Sequence, residues 1–426
     1  MHPASGKAAR GGPREASLAI ERFLKASHQP ILIEPGDDPM PIVAGAFAVT
    51  ERLSSLTIEC WNDQRNLSRR VTAVRLERPG RLELEVAHFG GRTGALTLVD
   101  LDRTTHAIAA RKGARLKYRE RFRQALHRQF PDWRLAELST EQDLHHSLSA
   151  AYPRALLRKG TAALAAIGVS EEAPAPEAAL SFGLIWLDYL RRREPGLRIE
   201  GLALFVPAGR ESALCHRIRF LDPAAALYLV FVHDGAGYEQ MVEPSDYTNL
   251  DTQLGFGGQR APRQPHPGHE EAQFEARIRS QIEALDASLC DQPVYGQVPQ
   301  FAGGDRGIID LLAVDHDARL AVIELKVHQD IHLPLQALDY WMRVAWHLAR
   351  GEFAERGYFT GIPLQLEAVP RLLLVAPALE FHPSNETVLA FFSRNIPVER
   401  VGVGLEWRQE LKVMFRAPQR RFTTFV

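Results

Sequence analysis

Between Met40 and Asp102 apolar and polar residues alternate with a period of two, in the runs VTAVRL, RLELEVAHF and ALTLVDL. That alternation predicts half-buried strands of a small antiparallel sheet. The segments ERPGR and GGRTG between them carry the Gly and Pro of hairpin turns. Ahead of the sheet, Ile20, Phe23 and Leu24 give an apolar stripe to a helix from about Ala16 to Ala26, behind a small, polar, flexible tail over residues 1–14. After the sheet the period lengthens, and a basic helix near Tyr118–Gln129 is stopped by Phe130-Pro131.

From about Ser139 the pattern is that of a second α/β unit. Ser139-Thr140-Glu141 has the composition of a helix cap, TAALAAIGV reads as a buried strand, and EAALSFGLIWLDYLRRR as a strongly periodic helix. The strands RIEGLALFVP and AALYLVFVH follow, and a Gly/Pro-dense linker covers residues 254–269. Beyond it, Phe274, Ile278, Ile282 and Leu285 share one helical face. PVYGQVPQF, RGIIDLLAVD and RLAVIELKV read as strands, the last two joined by a turn at His316-Asp317-Ala318. Asp330 is placed to cap a helix from Pro334 to Arg350, and RLLLVAP is another buried strand. A helix over Ser384–Arg394 and two closing strands, VERVGVGLEW and ELKVMFR, complete the chain.

At 426 residues the chain exceeds one ordinary core. The expected layout is a tail (1–14), a β-rich domain with the basic helix (15–135), a middle α/β domain (136–253), the linker and a C-terminal domain (270–426). With 45% apolar and 24% charged residues the composition is globular and excludes a mostly disordered chain. No apolar run is long enough for a membrane span, and the basic N-terminus lacks the apolar stretch of a secretory signal. Cys60, Cys215 and Cys290 lie far apart without a CxxC pair, which argues against a disulfide framework and for a reducing, cytoplasmic setting. The net charge of -1 says little, but Arg103–Arg134 holds ten Lys/Arg against Glu120 and Asp132. Arg111, Lys112, Arg115, Lys117, Arg119 and Arg123 are therefore candidate nucleic-acid-binding residues, the alternative being a solvated basic helix face.

The chemistry lies in three polar residues within apolar strands: Asp310 in IIDLLAV, Glu324 and Lys326 in AVIELKV. Burying an unpaired carboxylate costs several kcal/mol, on the order of 3–5, so a partner is required. If the hairpin turns around Asp317, Asp310 and Glu324 lie opposite each other with Cβ atoms about 5 Å apart. A divalent cation between them, or protonation of one, relieves the repulsion, and hard oxygen ligands suit Mg²⁺ or Mn²⁺. Lys326 alternates onto the face of Glu324. Gln336 and Tyr340, four apart on the next helix, share a face, and Glu271 or Glu275 can add a carboxylate from the preceding helix, Glu271 being favoured by the inward stripe.

GIIDLLAV, the Asp310–Glu324 spacing, ELK and the following QALDYW resemble a PD-(D/E)XK nuclease core, and within that superfamily the NucS-type endonucleases most closely. The resemblance covers roughly residues 270–376. It implies a restriction-endonuclease-like αβββαβ core inside a mixed α/β chain, a Mg²⁺ or Mn²⁺ cofactor and endonucleolytic hydrolysis of DNA. Asp310 and Glu324 become metal ligands, Lys326 the water-orienting residue, and Gln336 and Tyr340 phosphate-contacting or supporting groups. A homodimer is compatible with it. The N-terminal 250 residues do not match the DNA-binding domain of the NucS type. The alternative is a nucleic-acid-binding or regulatory protein that keeps the fold without turnover.

Other features weigh less. His316 between Asp315 and Asp317 fits a hydrated turn, His328 and His332 lack metal-site spacing, and Trp341, Met342 and Trp346 fit core packing. Gly303-Gly304 begins no phosphate loop. TAALAAIGV, ALSFGLIWLDYLRRR and RIEGLALFVP repeat the strand–helix–strand order of AVIELKV, ALDYW and RLLLVAP, an order that any βαβ segment has and that coincidence explains more readily than duplication. If the middle domain is a distant relative of the C-terminal one, the two sheets must share a strand order, and the middle copy lacks the Glu and Lys.

Overall fold

In the computed structural model residues 12–420 are described, apart from 29, 35–39, 43–46, 53–54, 63–64, 88–92, 101–105, 144, 172, 174, 235–236, 256–269 and 303–304. Residues 1–11 of the expected tail, Gly90-Gly91-Arg92 of GGRTG, Gly303-Gly304 and nearly all of the linker lie outside the described residues, while Pro13 and Arg14 already belong to the first helix and Thr93-Gly94 to a strand.

The N-terminal unit follows from its alternation. Helix α1 (Pro13–Ala26), with Pro in its first turn, lays Ala16, Ala19, Ile20 and Phe23 on one face of a seven-stranded sheet. The strands are β1 (Pro30–Ile33), β2 (Met40–Pro41), β3 (Phe47–Arg52), β4 (Ser55–Asn62), β5 (Arg65–Arg78), β6 (Arg81–Ala87) and β7 (Thr93–Asp100), in the order β2-β1-β7-β6-β5-β4-β3. In β6, Leu82, Leu84 and Val86 are buried against α1 while Glu83 and Glu85 face outward. The ERPGR turn places Gly80 at φ 77°, a left-handed conformation glycine adopts without strain. The sheet is larger than expected: β1 and β3 carry no clean alternation, whereas β4 does alternate, with Leu56, Ile58 and Cys60 buried and Thr57 and Glu59 between them.

Helix α2 (His106–Gln129) begins twelve residues earlier than the basic stripe around Tyr118 indicates. It leads into a six-stranded sheet of β8 (Arg134–Ser139), β9 (Arg154–Lys159), β10 (Ala162–Gly168), β11 (Arg198–Pro207), β12 (Leu227–His233) and β13 (Glu239–Val242), ordered β13-β12-β11-β10-β9-β8. Helices α3 (Ala178–Arg193) and α4 (Ser212–Ile218) make the crossovers. Ser139-Thr140-Glu141 does not open a helix: Ser139 ends β8, and its Oγ accepts the Glu141 N–H at 3.2 Å. Serine serves local turns as readily as helix caps.

The C-terminal sheet has the order β14-β15-β16-β17-β18-β19-β20. Its strands are β14 (Thr252–Leu254), β15 (Tyr295–Ala302), β16 (Asp305–Val314), β17 (Leu320–Leu325), β18 (Arg371–Pro377), β19 (Val398–Val403) and β20 (Val413–Pro418). Helices α5 (Glu270–Ser280) and α6 (Ile282–Leu285) precede β15; α7 (Leu333–Leu348) and the short α8 (Glu352–Glu355) lie between β17 and β18; α9 (Ser384–Ala390) joins β18 to β19. The linker is therefore no clean boundary, since β14, ahead of it, pairs antiparallel with β15. Asp330 accepts the His332 N–H just before α7, which begins at Leu333, and α9 ends four residues short of Arg394.

Both faces of β17 are covered, as its unbroken apolar run requires. Ala321, Ile323 and Leu325 pack with Phe274, Ile278, Ile282 and Leu285 on one side. Leu320 and Val322 face the other, where one apolar cluster joins α7 and α9 to α3, α4 and the middle sheet. The middle and C-terminal sheets thus enclose a shared helical layer, with α2 and α5 on the outer faces. At its centre Arg217 Nε and Nη2 donate to Asp339 Oδ1 and Oδ2 at 2.8 and 2.6 Å, and Nη1 to the Glu177 carbonyl. No helix among the described residues is long and apolar enough to cross a membrane.

Arg217 is 7% exposed, so deleting its partner strands a buried cation. Asp339→Ala should destabilise the chain by about 3–5 kcal/mol in urea unfolding followed by far-UV circular dichroism, more than an exposed ion pair is worth.

Candidate functional site

The site is set by the β16–β17 hairpin. Paired residues Leu311 and Ile323, Leu312 and Val322, Ala313 and Ala321, and Val314 and Leu320 put Asp310 opposite Glu324 as the next pair along. Both side chains share the face of Leu312 and Val322. The Leu325 N–H donates to Asp310 Oδ2 at 2.9 Å, pinning the aspartate across the strand end. Glu324 is 1% exposed, and neither of its carboxylate oxygens has a hydrogen-bond partner. An orphaned buried carboxylate beside a second one needs a neutralising group.

Lys326, one residue past β17, donates its backbone N–H to Val375 at 3.0 Å. Its ammonium lies 3.9 Å from Glu271 Oε1. Burial alone would lower its pKa, but Glu324, Glu271, Asp330 and Asp310 outweigh burial and hold it above the usual lysine range. The carboxyls move up as well. Asp310 is pushed up to about 6 by burial, against the opposing pull of Lys326 and the Leu325 N–H. Glu324 is raised further, by burial and then by repulsion from Asp310. On α7, Tyr340 is pushed up to about 12 by burial and by Glu324, and it hydrogen-bonds Gln336.

Helix α5 brings both candidate glutamates to this cluster. Glu271 pairs with Lys326, while Glu275 accepts from Gln297 Nε2 at 2.6 Å and is pushed up to about 7 by burial. Gln297 is the residue the sequence reading missed. It sits between the pairs Gly296–Leu311 and Val298–Ile309, facing Asp310, with φ 54°. A Cβ on Gly296 would come within 2.5 Å of Glu275 Oε1, so the glycine lets helix and strand close on each other. Glycine inside an apolar strand was the available signal.

The residues that could hold a divalent cation are Asp310 and Glu324. Among the described residues no group of three His, Cys, Asp or Glu gathers at metal-binding distance. A cation here would take two carboxylates and complete its shell with water, a donor set that suits Mg²⁺. His332 is committed elsewhere, with Nδ1 3.0 Å from Ser181 Oγ, and His328 is exposed beside Glu270 at 3.3 Å.

The basic helix is less free than its composition implies. Arg119 donates to the Leu138 carbonyl, Arg121 pairs with Glu171, Arg123 with Glu120 and Arg128 with Glu239. Arg115 is half-buried and Lys117 is exposed. The side chains of Arg111 and Lys112 lie outside the described residues.

Raised carboxyl values mean that folding favours the protonated forms. In metal-free protein their contribution is complete below about pH 4 and is lost as pH rises through the folded values of about 6 for Asp310 and about 7 for Glu275. For Asp310, a rise from 3.8 to about 6 corresponds to roughly 3 kcal/mol. Glu324→Gln should therefore stabilise metal-free protein at neutral pH, and Mg²⁺ should raise the wild-type Tm more at about pH 8 than at about pH 5. Differential scanning fluorimetry across pH, with and without Mg²⁺, reads both; a Glu324→Gln variant no more stable than wild type in metal-free protein at neutral pH contradicts the assignment. No known protein-family model matches the chain, and a search of the curated proteins finds no significant relative.

Proposed function

We propose that the chain is a divalent-metal-dependent nuclease that hydrolyses DNA phosphodiesters at Asp310, Glu324 and Lys326, as an endonuclease. The observation that carries this reading is the gathering of Asp310, Glu324 and Lys326 around the end of β17, with both Glu324 oxygens lacking a hydrogen-bond partner. The element order α5-β15-β16-β17-α7-β18 supports it, because it is the order of the PD-(D/E)XK core that the sequence resembles.

Each group has a distinct task. Asp310 and Glu324 would hold Mg²⁺ or Mn²⁺, which when bound supplies Lewis acidity and lowers the pKa of attacking water. Lys326, kept protonated by four carboxylates, donates hydrogen bonds to that water or to a phosphate oxygen and offsets developing negative charge. Glu271 positions Lys326 through its ion pair. Gln336 and Tyr340, joined by a hydrogen bond on α7, face Glu324 and limit where a phosphate can sit. The Leu325 N–H fixes Asp310 so that its carboxylate is preorganised.

The test is incubation with linear, circular and single-stranded DNA and with RNA, each with Mg²⁺, Mn²⁺ or EDTA. Asp310→Asn and Lys326→Ala should each cut the cleavage rate by about 10²-fold or more, and EDTA should abolish it. Binding without cleavage of any substrate, or cleavage untouched by both substitutions, refutes the proposal.

A further inference from the structure

We infer that the middle and C-terminal units are two copies of one fold paired about an internal dyad, with a single hydrolytic centre between them, so that the chain incises one strand of a DNA duplex. This rests on the nuclease reading above.

The topologies coincide strand by strand. Read as β8-β9-β10-β11-β12-β13 and as β15-β16-β17-β18-β19-β20, neighbours are antiparallel, antiparallel, parallel, parallel and antiparallel in both sheets. A helix precedes each set, α3 and α7 occupy the first crossover, and α4 and α9 the second. The agreement extends to single hydrogen bonds. Val169 N–H donates to Phe205 as Lys326 N–H does to Val375, and Ala208 N–H to His233 as Ala378 N–H does to Val403. Each bond continues its parallel ladder one residue past the last pair, so the corresponding strand pairs of the two sheets end in the same phase.

The two copies also pack as a two-fold demands. Helix α3 lies on α9, and its counterpart α7 lies on α4. Between the copies, Asp222 N–H donates to Phe391 at 2.7 Å and Ser393 N–H to Phe220 at 2.8 Å, about the isolated bridge Leu221–Phe392. These segments follow α4 and α9, equivalent places in the two units.

Register then identifies what became of the second centre. Ile167 pairs with Leu204, and Gly168 with Phe205, as Glu324 pairs with Leu374, and Leu325 with Val375. Ile167 thus stands at the place of Glu324, Val169 at that of Lys326, and Arg154, paired with Ile167, at that of Asp310. Arg154 donates to the Glu141 carbonyl at 2.7 Å and lies over the Trp186 ring. A Cβ on Gly168 would meet Phe122 and Tyr118 at 2.9–3.0 Å, so α2 closes down where α5 presents carboxylates. An apolar residue, an arginine and two aromatic rings cannot hold a cation. The middle copy keeps the shape of a partner subunit without its chemistry, and a duplex lying across the dyad meets one competent centre.

The experiment uses the full chain with Mg²⁺, supercoiled plasmid and a single-stranded circle, sampled over time. Open circles accumulating ahead of linear plasmid, with open-circle formation lost in Asp310→Asn, is the expected result. Linear plasmid without an open-circle stage overturns the inference while leaving hydrolysis at Asp310 standing; nicking that persists in Asp310→Asn refutes both, because the centre then lies elsewhere. Cleavage of the single-stranded circle alone also overturns it and leaves the nuclease reading standing. No cleavage of either substrate refutes both.

Discussion

Two carboxylates forced together at the ends of adjacent strands are the constraint around which the C-terminal unit is arranged. The hairpin register leaves Asp310 and Glu324 no alternative positions, because sliding the strands by one residue would exchange the side chains that β17 packs against α5 with those it packs against α7, and neither cavity fits the other set. The repulsion is met in part by Lys326 and in part by keeping the acids protonated. What is left unmet, two buried oxygens without partners, is a cost the fold carries for chemistry.

That cost is tolerable because the surroundings are rigid. Strand β17 is clamped by apolar clusters on both faces, and the layer beyond it is fastened by the bidentate Arg217–Asp339 pair. Rigidity in these supports fixes the spacing of the two acids, as the proposed metal site would require.

How much of this was legible depended on whether a pattern was local. The Asp310–Glu324 pairing could be read because one short turn fixes the register of a hairpin, and Lys326 followed from strand alternation. Glu271 and Glu275 could not be separated by helix phase, and in the folded chain both reach the cluster from the same side of the α5 stripe, one turn apart. Ser139 misled because its hydroxyl satisfies a turn as well as a helix start. Strand β14, three residues long and pairing across the linker, had no sequence signal at all. The strand-order test of the repeat needed the sheets themselves, since LDYL and LDYW alone share too little to exclude coincidence.

The helical layer common to both copies has a bearing on synthesis. A nascent chain completes the middle sheet before α7 and α9 exist, so Leu184, Leu187 and Ile218 wait without their cover until the last third emerges. Such an intermediate depends on residues not yet translated, and a truncation at the linker would leave it permanently in that state, sticky and prone to clump. The protein is three units by topology but two by the order in which its surfaces are sealed.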